Sequence, residues 1–164
     1  MKFVSLVRFV AVCVMPLFFV ACGSRTTMFV DFDKVVDSKD FAEVVGNEVK
    51  FDFGSGSKEK IISYIYSKGN AEIGKHNAYF SNSISGKAYK FTEIDVACGY
   101  ALLENLVALR DYAKKVGGSK VVNVTSYYKL NEQRDSKDSF LCSVGKRKVD
   151  VKLKADIAES GDLR

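Results

Sequence analysis

The clearest hydrophobic pattern lies near the end of the chain, where Val149, Val151, Leu153, Ala155 and Ile157 alternate with Asp150, Lys152, Lys154 and Asp156. A period of two puts the apolar residues on one face of a strand and the charged ones on the other. That predicts an antiparallel sheet with one buried and one solvated face. Phe140–Val144, broken at Gly145, predicts the strand before it. Ile94, Cys98, Ala101, Leu102, Leu109, Ala113 and Val116 recur at helical spacing instead. They predict one dominant helix over about residues 93–116, opened by Thr92 with Asp95 as an approximate capping box and stopped by Gly117-Gly118. Val121–Tyr128 predicts a strand after that helix, and 129–139 a polar loop.

Ahead of the helix the pattern is more broken. Asp37-Ser38 before a short mixed run, with Gly46 at its end, predicts a brief helix. Val49, Phe51 and Phe53 alternate with Lys50 and Asp52 as a strand does, and Gly54-Ser55-Gly56-Ser57 ends it. Ile61–Tyr66 predicts another strand, Lys68-Gly69-Asn70 a turn, and Ala71–Phe80 the returning strand of a hairpin. Ser81–Lys87 is expected to be a loop. Strands on both sides of one long helix predict the α+β class. The expected form is a mostly antiparallel sheet of four or five strands, one long helix packed on one face, and a short N-terminal helix.

The first residues change the picture. Lys2 and Arg8 precede an apolar run from Phe9 to Val20, about a dozen residues, closed by Ala21-Cys22-Gly23-Ser24. That is the layout of an export signal. At roughly 1.5 Å per residue the run is too short for the ~30 Å hydrocarbon core. Phe19-Val20-Ala21-Cys22 resembles the lipobox of bacterial lipoproteins, with Phe19 where Leu is commonest. The resemblance implies that Cys22 receives a diacylglyceryl group and becomes the mature N-terminus. The residues after Cys22 lack the Asp associated with inner-membrane retention, which implies an outer-membrane anchor facing the periplasm, with the inner membrane as the alternative. The expected organisation is a signal over 1–21, a lipidated tether over 22–36, a single domain over 37–158 and a tail over 159–164.

Removing Lys2 and Arg8 lowers the net charge from +5 to +3, so the mature chain is mildly basic and nothing calls for nucleic acid as a partner. Twelve Phe and eight Tyr supply ample core. Of four cysteines, Cys13 leaves with the signal and Cys22 carries lipid, so Cys98 and Cys142 remain. In an oxidising compartment they are expected to pair, closing a loop that contributes about 4 kcal/mol by chain-entropy arithmetic. No Cys-x-x-Cys spacing suggests redox catalysis.

Catalytic constellations are scarce. His76 is the single histidine, which leaves no basis for a metal site or a hydrolytic triad. Gly54-Ser55-Gly56-Ser57-Lys58 has the wrong spacing for a phosphate-binding loop and is better read as a strand-ending turn. No cofactor is expected. Lys146-Arg147-Lys148, joined by Lys152 and Lys154, is the densest basic patch. It suits either anionic headgroups or an acidic partner, or simply a solvated, aggregation-resistant strand face. Tyr127-Tyr128 is expected to turn one ring inward and one outward, making Tyr128 a candidate interface anchor beside Lys146, Arg147 and Lys148.

Several runs together carry a family resemblance: Phe51-Asp52-Phe53-Gly54, Ala97-Cys98-Gly99-Tyr100-Ala101, Leu109–Val124, Ser126-Tyr127-Tyr128 and Phe140–Gly145. They resemble a family of small exported bacterial proteins often labelled excinuclease ATPase subunits. The chain carries no nucleotide-binding loop to match that label. More distantly, the cysteine before a long helix, the Val-Val strand after it and the second cysteine near Gly145 resemble RcsF-type outer-membrane lipoproteins and YbjQ-like domains. This resemblance implies a lipid-anchored, non-enzymatic binding or sensor module acting through an envelope protein partner. RcsF-type proteins have two disulfides, and only the one matching Cys98 and Cys142 is possible here. The alternatives are a purely structural envelope lipoprotein, or a small-ligand carrier or enzyme with a polar cleft near His76 or Tyr128. The oligomeric state stays open.

Overall fold

The computed structural model describes residues 25–73, 78–81, 88–91, 94–128 and 133–159. Along the chain run β1 (Thr26–Asp31), α1 (Asp33–Val36), α2 (Lys39–Val44), β2 (Lys50–Phe53), β3 (Ile61–Ile73) and β4 (Ala78–Ser81). They are followed by β5 (Ala88–Phe91), α3 (Ile94–Lys115), β6 (Lys120–Tyr127), β7 (Gln133–Arg134), β8 (Ser139–Val144) and β9 (Lys148–Ala158). Cys22 and His76 lie outside the described residues, as does the capping Thr92.

The described strands form one curled sheet organised around β9. β3 lies antiparallel along one edge of β9 for its whole length. The other edge is shared: β8 pairs with Val149–Val151, and β6 with the stretch from Leu153 to Ala158. β1 extends the sheet beyond β8, while β2 extends it beyond β6 as the one parallel pair described. The fold is thus α+β with a mostly antiparallel sheet, as the periodicity predicts, but the sheet is larger than the four or five strands expected.

α3 covers one face. Ala97, Cys98, Ala101, Leu102, Leu106 and Leu109 are fully buried against Val149, Val151, Leu153 and Ile157 of β9 and the adjoining strands. Its C-terminus lies where the glycine pair predicts, with Gly118 N donating to Ala113 O at 2.8 Å. Cys98 of α3 and Cys142 of β8 form the expected disulfide, with an S–S distance of 2.00 Å, a Cα–Cα distance of 5.9 Å and 44 residues of separation. Asn105, also fully buried, donates to Ala101 O at 3.0 Å and Val151 O at 2.9 Å, tying helix to sheet through its amide.

Three expectations are corrected. The stretch 22–36 is not all tether, because β1 pairs along the whole of β8 and α1 follows it. Val30 and Phe32 are buried, and the Phe32 ring stacks on Phe53 at 4.0 Å and meets Phe140 at 5.3 Å. Burial of those side chains outweighs the weak local pattern. Lys68-Gly69-Asn70 is not a turn, since β3 runs straight through it in register with Val151 and its neighbours. Gly69 is there because α3 crosses so closely that a Cβ would lie 1.9 Å from Ala101 O. The loop expected over 129–139 contains β7, which pairs with the end of β6. The brief helix is present as α2, capped by Ser38 Oγ accepting from Phe41 N at 3.1 Å, with α1 as an unforeseen companion. Arg110 on α3 donates to Val44 O and Val45 O, both at 2.8 Å, and so closes the C-terminus of α2.

Candidate binding site

The face of the sheet opposite α3 holds the most distinctive group of side chains. The β3–β9 register sets Tyr64 beside Asp156, Tyr66 beside Lys154, Lys68 beside Lys152 and Asn70 beside Asp150. Because side chains alternate along a strand, these residues share the face that α3 does not cover. Tyr64 is 71% exposed and Tyr66 56%. Their rings meet edge-on at 6.4 Å, and Tyr66 meets Tyr127 of β6 edge-on at 5.6 Å. Lys152 Nζ lies 5.8 Å from the centre of the Tyr127 ring and donates to Tyr128 O at 3.3 Å.

Tyr127 reaches this face because of a bulge. Val122 pairs with Asp156 and Thr125 with Lys154, so β6 spends three residues where β9 spends two. Asn123 occupies the irregularity with φ of 54°, a left-handed conformation that Asn tolerates better than most residues. One inserted residue reverses the facing of everything after it. Val124 is thereby buried in the core, while Thr125, itself buried, and the half-buried Tyr127 turn to the side away from α3. Tyr127, not Tyr128, is the ring that joins the aromatic group.

Between this face and the turn after β2 lies a half-open cavity of about 460 Å³, lined among others by Ser55, Tyr64, Tyr66, Asn123, Lys154 and Asp156. Its volume is in the range of small-ligand sites. Asn123 holds two of its walls together: Oδ1 accepts from Ser57 N at 2.9 Å, and Nδ2 donates to Asp156 Oδ2 at 2.8 Å. The Gly54–Ser57 segment is indeed a turn, bent by positive φ at Gly54 and Gly56. Asp135 clasps it from outside, accepting from Ser55 N at 2.6 Å and from Ser55 Oγ.

Two titrations follow from this geometry. The Tyr127 phenol is pushed above its ordinary range, first by burial and then by the neighbouring Tyr66, so it stays a hydrogen-bond donor at any physiological pH. The Asp135 carboxyl is held below its ordinary range, chiefly by the Ser55 hydroxyl and amide, with Lys154 and Lys137 also lowering it. A depressed carboxylate contributes to folding above its unfolded-state pKa, and that contribution is lost as pH falls through the lower folded-state value. Carboxyl titration by NMR should therefore place Asp135 below an ordinary aspartate, and Ser55→Ala should move it back up. An unchanged titration in Ser55→Ala would remove the clasp.

The sequence grouped Tyr128 with Lys146, Arg147 and Lys148. In the structure Tyr128 follows the end of β6 beside Lys152, whereas Lys146 and Arg147 lie exposed at the tip of the β8–β9 hairpin. There Gly145 N donates to Lys148 O at 2.9 Å, and Ile73 N donates to Arg147 O. Close by, the fully buried Asp150 side chain gathers cations. Arg25 Nη1 donates to Oδ2. Lys68 Nζ lies 3.2 Å from Oδ1, off the direction of a hydrogen bond, and Lys148 Nζ lies 3.9 Å away.

Among the described residues no group of three His, Cys, Asp or Glu side chains is placed to hold a metal ion, and no helix is long and apolar enough to cross a membrane. Compared with known protein families and with curated protein sequences, the chain matches none.

Proposed function

We propose that this protein is a lipid-anchored module of the bacterial envelope that faces the periplasm and works by binding a protein partner, not by catalysis. The anchor is Cys22, in the outer membrane. The observation that carries the binding reading is the tyrosine group on the open face. Tyr64 and Tyr66 are large, rigid rings held largely in water on strands that a core and a disulfide keep in place. Ordered, exposed tyrosines are enriched in protein-binding hot spots, since a Tyr side chain offers much contact area for little lost entropy. Lys152 and Lys154 beside them favour a partner that presents carboxylates.

The resemblance to RcsF-type lipoproteins and to the small exported family points the same way, towards a sensor or adaptor. The cavity below Tyr64 and Tyr66 favours a second reading, a carrier of a small polar ligand. Its one converging carboxylate, Asp156, is already engaged by Asn123.

A photo-crosslinking residue placed at Tyr66 in intact cells should give one reproducible adduct with an envelope protein. The same residue at the exposed Lys39 of α2, away from this face, should not. Lys154→Glu should weaken the adduct. Equal adducts from both positions, or none from Tyr66, would overturn the protein-partner reading. A co-purifying small molecule lost in Asn123→Ala would establish the ligand reading instead.

A further inference from the structure

The basic run at the β8–β9 hairpin lies at the place where the chain leaves its proposed anchor. Only Gly23 and Ser24 lie between Cys22 and Arg25, so covalent geometry limits that reach, three residue steps, to about 11 Å. Arg25 is fixed at the start of β1, where Thr26 pairs with Val144, and its Nε lies 3.7 Å from the point where a Cβ on Gly145 would sit. The anchored end and the hairpin tip are therefore the same end of the molecule. Nothing in the order of the residues brings Arg25 and Lys146 together, because more than a hundred positions lie between them.

From this juxtaposition we propose that Arg25, Lys146, Arg147 and Lys148 form a membrane-facing surface that binds anionic phospholipid headgroups beside the acyl anchor. The inference rests on the reading of Cys22 as lipidated. Lys146 and Arg147 are exposed, and no carboxylate among the described residues pairs with them. Arg25, Lys68 and Lys148 meet the buried Asp150, Glu72 lies opposite Lys148 in the β3–β9 register and Glu104 accepts from Asn70 N, so among the described residues five cations face three carboxylates. An excess of cations close to an acyl anchor is the second signal that makes membrane attachment stable and oriented. A lipid surface fits this site better than an acidic protein because the acyl chains hold it against headgroups at all times.

The orientation has a consequence for the tyrosine face. β9 rises from Lys148 at the hairpin to Ala158 at the far end, and Tyr64 and Tyr66 pair with Asp156 and Lys154. At about 3.3 Å per residue the cavity stands roughly 20 Å from the cationic tip, clear of the headgroups and open to the periplasm. A rigid sheet thus separates the lipid-binding end from the partner-binding face.

The test uses the mature, lipidated protein in vesicles of phosphatidylcholine alone or mixed with phosphatidylglycerol, probed by lysine acetylation and mass spectrometry. Lys146 should be acetylated roughly fivefold more slowly in the anionic vesicles, the factor expected for one cation at an anionic surface, and high salt should restore its reactivity. Lys60 and Lys115, at the opposite end, should react equally in both. Lys146→Gln with Arg147→Gln should abolish the slowing at Lys148 while leaving the far lysines unchanged. Equal reactivity of Lys146 in the two vesicles would overturn the proposal, as would protection seen only in native membranes, which would assign the patch to an acidic protein. The same digest reports the mass at Cys22: an unacylated Cys22 would sink the lipoprotein reading and this inference with it, whereas an acylated one with unprotected lysines would sink the inference alone.

Discussion

Gly69→Ala is expected to destabilise the protein by about 3 kcal/mol or more, because a methyl group there has nowhere to go. Its Cβ would lie 1.9 Å from the carbonyl oxygen of Ala101 and 2.8 Å from Asn105 Nδ2. Neither neighbour is the free end of a flexible side chain. To make room, α3 must lift from β3 by more than 1 Å, and that opens the layer in which Ala97, Ala101, Leu102 and Leu106 are fully buried. It also breaks the Asn105 amide's bond to Val151 O of β9, leaving a carbonyl unpaired in the core. Urea unfolding followed by circular dichroism measures the loss directly. Adding Ala101→Gly should not rescue the variant, because the clash is with the backbone and not with the alanine methyl. A Gly69→Ala protein as stable as the parent would show that the helix does not approach β3 this closely.

Removing the Cys98–Cys142 bond should cost about 4 kcal/mol, the chain-entropy value for a loop of its length. The bond joins the first turns of α3 to β8, and through Met28, paired with Cys142, its influence extends to β1. Both cysteines are fully buried, so replacing them with alanine adds a small packing loss to the entropic one. The clean measurement is therefore the unfolding midpoint of the unmodified protein with and without a phosphine reductant under denaturing conditions, set beside the double alanine variant. Both should fall by a similar amount. Insensitivity of the unmodified protein to reductant would mean that the two thiols are not paired in the purified chain.

The sequence was most informative where local pattern and tertiary demand agree. Alternation from Val149 to Ile157 predicts β9 with the correct face buried, and helical spacing with a glycine pair predicts α3 to within a residue or two. It was least informative where a distant contact overrules the local signal. Met28, Val30 and Phe32 do alternate, and that was the available signal for β1, but short length and neighbouring polar residues mask it. Lys68-Gly69-Asn70 has turn composition, yet its glycine answers to the passage of α3 above it. Asn123 inside a run of valines is a legible hint of a bulge; which residues it would turn outward is not legible without the β9 register.

By itself, then, the order of residues determined the class of fold, the long helix, the three longer strands after it and a pair of cysteines suited to a disulfide. These depend on periodicity and on chemistry that each segment carries within itself. The tertiary structure alone decided that Tyr64, Tyr66 and Tyr127 form one exposed group, that Asn123 closes a cavity beneath two of them, and that Arg25 lies beside Lys146 and Arg147. Each of those surfaces is assembled from segments far apart in the chain. What brings them together is strand register and the burial of the opposite face, and neither is a property of any one segment.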